Sequence, residues 1–455
     1  MMTSPTSKAG SLTRRRFVAA GGLTASAALL PPWARARAAM LPGEALALAE
    51  ARRDELVELL AGLVRIRSQS GESAEQAQAV VRDYLGRLPY RVEASADRPS
   101  DYESHPEFMP PSPAGDGPFV NVVGWPEGST ASGCGLFSHI DTHLVEDGWE
   151  TDPYEPVQRD GRLYGLGTAD DKGGVAAMLV AAAALASVGG PLPVVMSLHG
   201  KGGGSRGSLP VFERLRRSGQ VLDAVLYVHP AETGRGLDDI KNEVQGILDL
   251  ELRVRGWRGE PLEVNSIDSA PWEDGGNAID ACWKMLGRLR NGAFAGTSIN
   301  VGQVTGGDRI GSVADSASAR LRLKFSEPHT WSVLLDVARA EIGEFLDAYA
   351  GAGQQYAIEL EPVGYRTNPG SADWDGPASR VLREAIEDLA GKAPAAYPNH
   401  YAGDIRYPIR LLGTPAYGIG SLAGGFYGPN EWVDVDDLVR LVAVVIATVT
   451  GWSGL

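Results

Sequence analysis

The sequence predicts an α/β protein: a mostly parallel sheet with helices on both faces, interrupted by an inserted α+β domain. Two observations carry this. Short apolar runs alternate with helical stretches through residues 119–228 and again beyond Glu361, the pattern of strands joined by crossover helices. From Asn242 the chain instead alternates apolar and polar positions, as half-exposed antiparallel strands require.

Leucines at helical spacing (Leu46, Leu48, Leu56, Leu59, Leu60, Leu63) predict one helix over 45–65, and a second amphipathic run covers 74–88. The Pro/Ser/Asp-rich stretch 98–117 reads as an exposed loop. Strands follow at 119–124, 133–140, 193–198 and 224–228, with an Ala/Leu/Val-rich helix over 173–186 suited to burial on several sides. The inserted part then reads strand 244–255, helix 277–290, strands 297–304 and 316–325, and helix 329–349. That order is the split arrangement of a ferredoxin-like domain. Helices at 378–389 and 433–449 complete the first domain. The expected organisation is a signal over 1–39, a first body segment over 40–243, the insert over 244–361 and a second body segment over 362–455.

The amino terminus reads as an address. Thr13-Arg14-Arg15-Arg16-Phe17-Val18 resembles a twin-arginine export signal, followed by an apolar stretch to Leu30 and a small-x-small site at Ala36-Arg37-Ala38. The apolar stretch is shorter than the roughly 20 residues that a spanning helix needs, so export to the periplasm or beyond, with cleavage, is expected. The signal carries six basic residues and no acidic ones, and its removal takes the formal net charge from −15 to −21. Such a chain has no general positive field for nucleic acid or anionic lipid. The two cysteines, Cys134 and Cys282, are expected in different domains as buried free thiols.

The chemistry concentrates between 136 and 174. Here His139-Ile-Asp141-Thr-His143 is followed by Trp149 and by Gly165-Leu-Gly-Thr-Ala-Asp170-Asp171-Lys172-Gly-Gly. These motifs, with Gly403-Asp404-Ile-Arg406 and Gly428-Pro-Asn-Glu431, resemble the zinc-dependent exopeptidase and aminoacylase family that includes glutamate carboxypeptidases, acetylornithine deacetylase and succinyl-diaminopimelate desuccinylase. The resemblance implies the two-domain fold above, with the insert as a lid that forms a homodimer. It also implies two zinc ions sharing one aspartate, with a Glu-Glu pair supplying the general base and a ligand of the second ion.

Carried over by position, His139 and Asp170 match the first ion's histidine and the shared aspartate, and Asp141 matches the residue that orients that histidine. His229 stands where the family has a carboxylate. The rest departs from the pattern. No Asp or Glu occurs from Lys172 to Phe212, so Lys201 and Gly202 face the Glu-Glu positions. Tyr427 or Phe426 replaces the C-terminal histidine, and Glu260 replaces the lid histidine.

The expectation is therefore one divalent ion per chain, zinc or alternatively iron, on His139, Asp170 and His229. Lys201, Glu232, Tyr427 and His199 are candidates for proton transfer, with His143, His199 and His400 as extra metal ligands. Arg406 and His400 are candidates for holding a small amide or peptide-like substrate. Two other readings remain: redox or lyase chemistry on the same two-His, one-carboxylate set, and a binding protein that has lost catalysis.

Overall fold

The computed structural model describes residues 40–69, 71–110, 117–128, 131–258, 276–351, 355–401, 403–453 and 455. Residues 1–39, read above as an export signal, and Glu260 lie outside them. Among the described residues, no helix is long and apolar enough to cross a membrane.

The body sheet uses β1 (Tyr90–Asp97), β2 (Phe119–Pro126), β3 (Ala131–His139), β4 (Leu192–Leu198) and β5 (Ala224–Val228). A late strand, Ala416–Ile419, completes it in the order β1-β2-β4-β3-β5 and then the late strand. The pairs β3–β4, β3–β5 and β5–late strand are parallel, and β1 and β2 add an antiparallel edge. Alternation along each strand feeds two cores. Leu136, Val195, Leu226 and Val228 face the larger one, while Phe137, Met196, Val225 and Tyr227 face the other. Both faces are covered, as parallel sheets require.

The helix Lys172–Ser187, which follows β3 in the chain, is buried on almost every side. It packs with the C-terminal helix Val435–Trp452 in the larger core. The expected single helix over 45–65 is two, Pro42–Glu50 and Arg53–Arg65. The break falls at Arg52, whose backbone leaves helical geometry (φ −115°, ψ 13°) and whose guanidinium is held by Glu55 and by the carbonyl of Ala183.

In the insert, β6 (Glu243–Arg255), β7 (Ser298–Gly306), β8 (Ser316–Phe325) and β9 (Ala357–Thr367) form an antiparallel sheet. Its order is β7-β8-β6-β9. Helices Ala278–Asn291 and Trp331–Gly351 pack on it in a separate core, giving the ferredoxin-like arrangement expected from sequence. Cys134 lies in the body core and Cys282 in the insert core, both buried and neither in a disulfide. The insert is also tied to the body where the Trp331 indole donates to the carbonyl of Pro106 at 3.1 Å.

Lys172 opens its helix fully buried, its ammonium donating to the carbonyl of Ile66 at 2.7 Å. Burial pulls its pKa from 10.5 down to about 7. Between pH 7 and 10.5 the unfolded chain therefore holds more protons at this position than the folded one, and folding is favoured as pH rises. In urea denaturation, the wild type should gain stability relative to a Lys172→Met variant as the pH is raised from 7 to 10. A constant difference across that range would contradict this reading.

Candidate metal centre and cleft

Parallel register brings the two histidines together. Phe137 of β3 pairs with Tyr227 of β5, and His139 and His229 each lie two residues further on. Adjacent strands are about 4.8 Å apart, and the two imidazole centroids lie 5.3 Å apart. The third group, Asp170, comes from the loop before the buried helix Lys172–Ser187. Its place is set by Glu431, whose carboxylate accepts from the backbone N–H groups of Gly167 (2.7 Å), Ala169 (2.7 Å) and Asp170 (2.8 Å). Burial, together with the nearby Asp170 charge, raises the Glu431 pKa to about 7 despite these donors.

His139 Nε2 lies 2.9 Å and His229 Nε2 3.3 Å from Asp170 Oδ1. The three ligand atoms all fall within 4.8 Å of one another. Asp170 Oδ1 is nevertheless buried without an aligned hydrogen-bond donor. Two nitrogen or oxygen ligands at 2.0–2.1 Å from a shared tetrahedral ion stand about 3.4 Å apart. The set therefore fits a divalent ion in spacing and donor chemistry, and its orphaned oxygen is the atom that an ion would satisfy.

Asp141 does two things. Its carboxylate lies 3.4 Å from His139 Nδ1 and accepts the backbone N–H groups of Gly200 (2.8 Å) and Lys201 (3.0 Å). Although burial opposes it, hydrogen bonding to His139 and the nearby cations keep Asp141 below the usual carboxylate range. The loop needs glycine here, since a Cβ on Gly200 would come within 2.5 Å of the His139 ring. Gly202, Gly203 and Gly204 then take left-handed backbone at φ 78°, 65° and 73°.

This loop delivers Lys201, whose ammonium is hydrogen-bonded to Asp170 Oδ2. Burial acts against that charge, and the Asp170 carboxylate outweighs it, raising the lysine pKa. The imidazoles titrate in opposite directions. For His139, burial and the Lys201 charge are outweighed by Asp141 and Asp170, giving a pKa of about 10. For His229, burial and then the Lys241 charge lower it to about 3.

His139, His229 and Lys201 line a cleft of about 450 Å³ shared by the body and the insert. The insert supplies Ile247, Arg322 and Tyr365 to its wall, and the body supplies Tyr397, Asn399 and His400. The His400 ring lies 6.3 Å from that of His229. Glu232 and Tyr427 also face the cleft, joined by a 2.7 Å hydrogen bond from the phenol to the carboxylate. Both hold left-handed backbone, at φ 61° and 62°, a costly conformation for such side chains and one that clusters at functional sites.

Three residues depart from the sequence-based assignment or were missed by it. Arg406, expected to hold substrate, is fully buried away from the cleft. Its guanidinium donates to the carbonyls of Gly403 (3.1 Å) and Gly203 (2.6 Å), so it braces the glycine-rich loop. His199 belongs to a polar network with Asn121 rather than to the metal set. Lys241, unremarked in the sequence, lies 2.9 Å from His229 Nδ1, which is also 2.8 Å from the carbonyl of Pro230. No motif surrounds this lysine, so only the fold reveals it.

The family model described as "Peptidase family M20/M25/M40" matches residues 135–451. A succinyl-diaminopimelate desuccinylase of Maricaulis maris is 27% identical over 341 residues, covering 71% of this chain and 82% of that protein. Among solved structures, a tripeptidase from Staphylococcus aureus superimposes with a TM-score of 0.64 at 17% identity, covering 89% of this chain and 99% of that one. A dinuclear metal-binding M20 peptidase from Bacillus subtilis gives 0.56 at 13% identity, covering 88% and 98%.

If Arg406 braces the loop, Arg406→Ala empties a fully buried volume and removes the guanidinium from the Gly203 and Gly403 carbonyls, leaving them the Tyr407 hydroxyl and the backbone N–H of residue 406, and should cost about 3 kcal/mol of stability in urea denaturation. A variant of unchanged stability that loses only substrate affinity would return Arg406 to a substrate role.

Proposed function

The chain belongs to peptidase family M20/M25/M40 and is a metal-dependent hydrolase of that family, and we propose that it cleaves an amide or peptide-like small substrate with a single divalent ion, zinc rather than iron. The convergence of His139, Asp170 and His229 around an orphaned carboxylate oxygen carries this reading. When bound there, such an ion supplies Lewis acidity, polarising an amide carbonyl and acidifying water.

The remaining steps fall to the chain's own groups. Asp141 fixes the His139 ring and the glycine-rich loop together, so that imidazole and Lys201 keep a set spacing. The Lys201 ammonium lies at the cleft floor, where it can face negative charge developing on a substrate oxygen. Glu232, with its pKa raised by burial and by Asp170, is suited to accept and return a proton. Tyr427 holds that carboxylate in place. The wall residues Tyr365, Tyr397, Asn399 and His400 then orient the substrate.

We also propose export through the amino-terminal signal and a homodimer through the insert. Support for the dimer comes from the exposed edge strand β7 and the recess beside it, lined by Trp283, Leu286, Ile299 and Val301. Paired edge strands would cover backbone groups that otherwise invite association.

Elemental analysis of the chain purified without chelator should find one zinc per chain, and His229→Ala should lose it together with hydrolysis of N-acyl amino acids and dipeptides. Unchanged metal content in that variant would sink the ligand assignment. The exported chain should begin near residue 40 and run as a dimer in light scattering; a monomer would remove the role given to β7.

A further inference from the structure

We propose that the Lys201 ammonium is a built-in cation occupying the second side of the Asp170 carboxylate, and that this charge holds the centre to one metal ion. The inference rests on the metal-dependent reading above and adds the reason for its stoichiometry.

Asp170 is a buried carboxylate with two differently furnished oxygens. Oδ1 meets the two imidazole nitrogens already described. Oδ2 meets the Lys201 ammonium and, at 3.6 Å, His143 Nε2. That second side has the makings of another cation site. His143 Nε2 is buried without a hydrogen-bond partner, while the Glu232 carboxylate lies beside the other histidine, 3.8 Å from His229 Nε2. Tyr427 closes the space, its ring 4.4 Å from that of His143 and 5.3 Å from Lys201 Nζ. An unpartnered nitrogen beside the second oxygen of a buried carboxylate would draw a cation if nothing else met that charge.

Lys201 meets it. The backbone places the ammonium firmly, because the N–H groups of Gly200 and Lys201 are both anchored on Asp141. A second ion at Oδ2 would stand at hydrogen-bonding distance from a resident positive charge. Two cations so close repel strongly at any dielectric that a protein interior offers, so the lysine must leave before the ion can enter. The same charge, one carboxylate away, also weakens binding of the first ion at Oδ1. Lys201 thus trades affinity for a fixed count.

The test is zinc titration into the full chain after chelator treatment, followed by calorimetry and elemental analysis, with circular dichroism checking that each variant is folded. The wild type and Lys201→Arg should bind one zinc, the arginine variant showing that charge rather than shape sets the count. Lys201→Met should bind its first zinc at least tenfold more tightly, and Lys201→Glu should bind two. Two ions in the wild type would overturn the inference while leaving a metal hydrolase standing. So would a single ion in Lys201→Glu together with unchanged affinity in Lys201→Met. A wild type that binds none while Lys201→Met or Lys201→Glu takes zinc up would support the lysine's role and overturn the proposed function. No zinc in any variant would overturn both.

Discussion

One carboxylate, that of Asp170, is the constraint on which the site depends. It is buried, negative and surrounded by groups whose charges are meaningful only in relation to it. His139 and His229 approach one oxygen, and Lys201 and His143 approach the other. A buried carboxylate without such company would be expelled or protonated. The glutamate that holds it, Glu431, meets Asp170 only at its backbone N–H, yet three backbone donors on its carboxylate fix the loop to within hydrogen-bonding tolerance. The stability of the loop and the geometry of the centre are therefore one problem with one solution.

The sheet solves the other half. Two parallel neighbours ending at the same level bring residues ninety positions apart to adjacent places without any loop needing to be rigid, which is why ligand sets favour this edge of α/β sheets. The orientation of the rings then comes from short-range contacts: Asp141 for His139, and for His229 the Pro230 carbonyl, which can accept from Nδ1 when Nε2 is left to face Asp170.

Much of this was legible in the chain. Alternating strands and helices gave the layers, and the change of period near Asn242 located the insert. His139, Asp141 and Asp170 stand in a dense local motif, and His229 ends a run of five apolar strand residues, so their meeting could be anticipated. What escaped reading had no local signature. Lys241 is a single lysine after a two-residue strand, and its proximity to His229 depends on backbone pairing with Gly418, far along the chain. Arg406 carried a persuasive neighbourhood, but sequence does not reveal burial, and full enclosure turned a presumed ligand-holder into a brace. The late strand Ala416–Ile419 is only four residues long and was missed because its partner, not its composition, makes it a strand.

The division of the cleft between two cores has an evolutionary consequence. Every group assigned to hold metal belongs to the body, whereas Ile247, Arg322 and Tyr365 reach the cleft from a sheet with its own hydrophobic interior. Substitutions among those three alter what the cavity admits without passing through the packing that sets the imidazoles and Asp170. Such modularity lets selectivity drift while reactivity is conserved, so descendants of this scaffold could diverge in diet long before they diverge in chemistry.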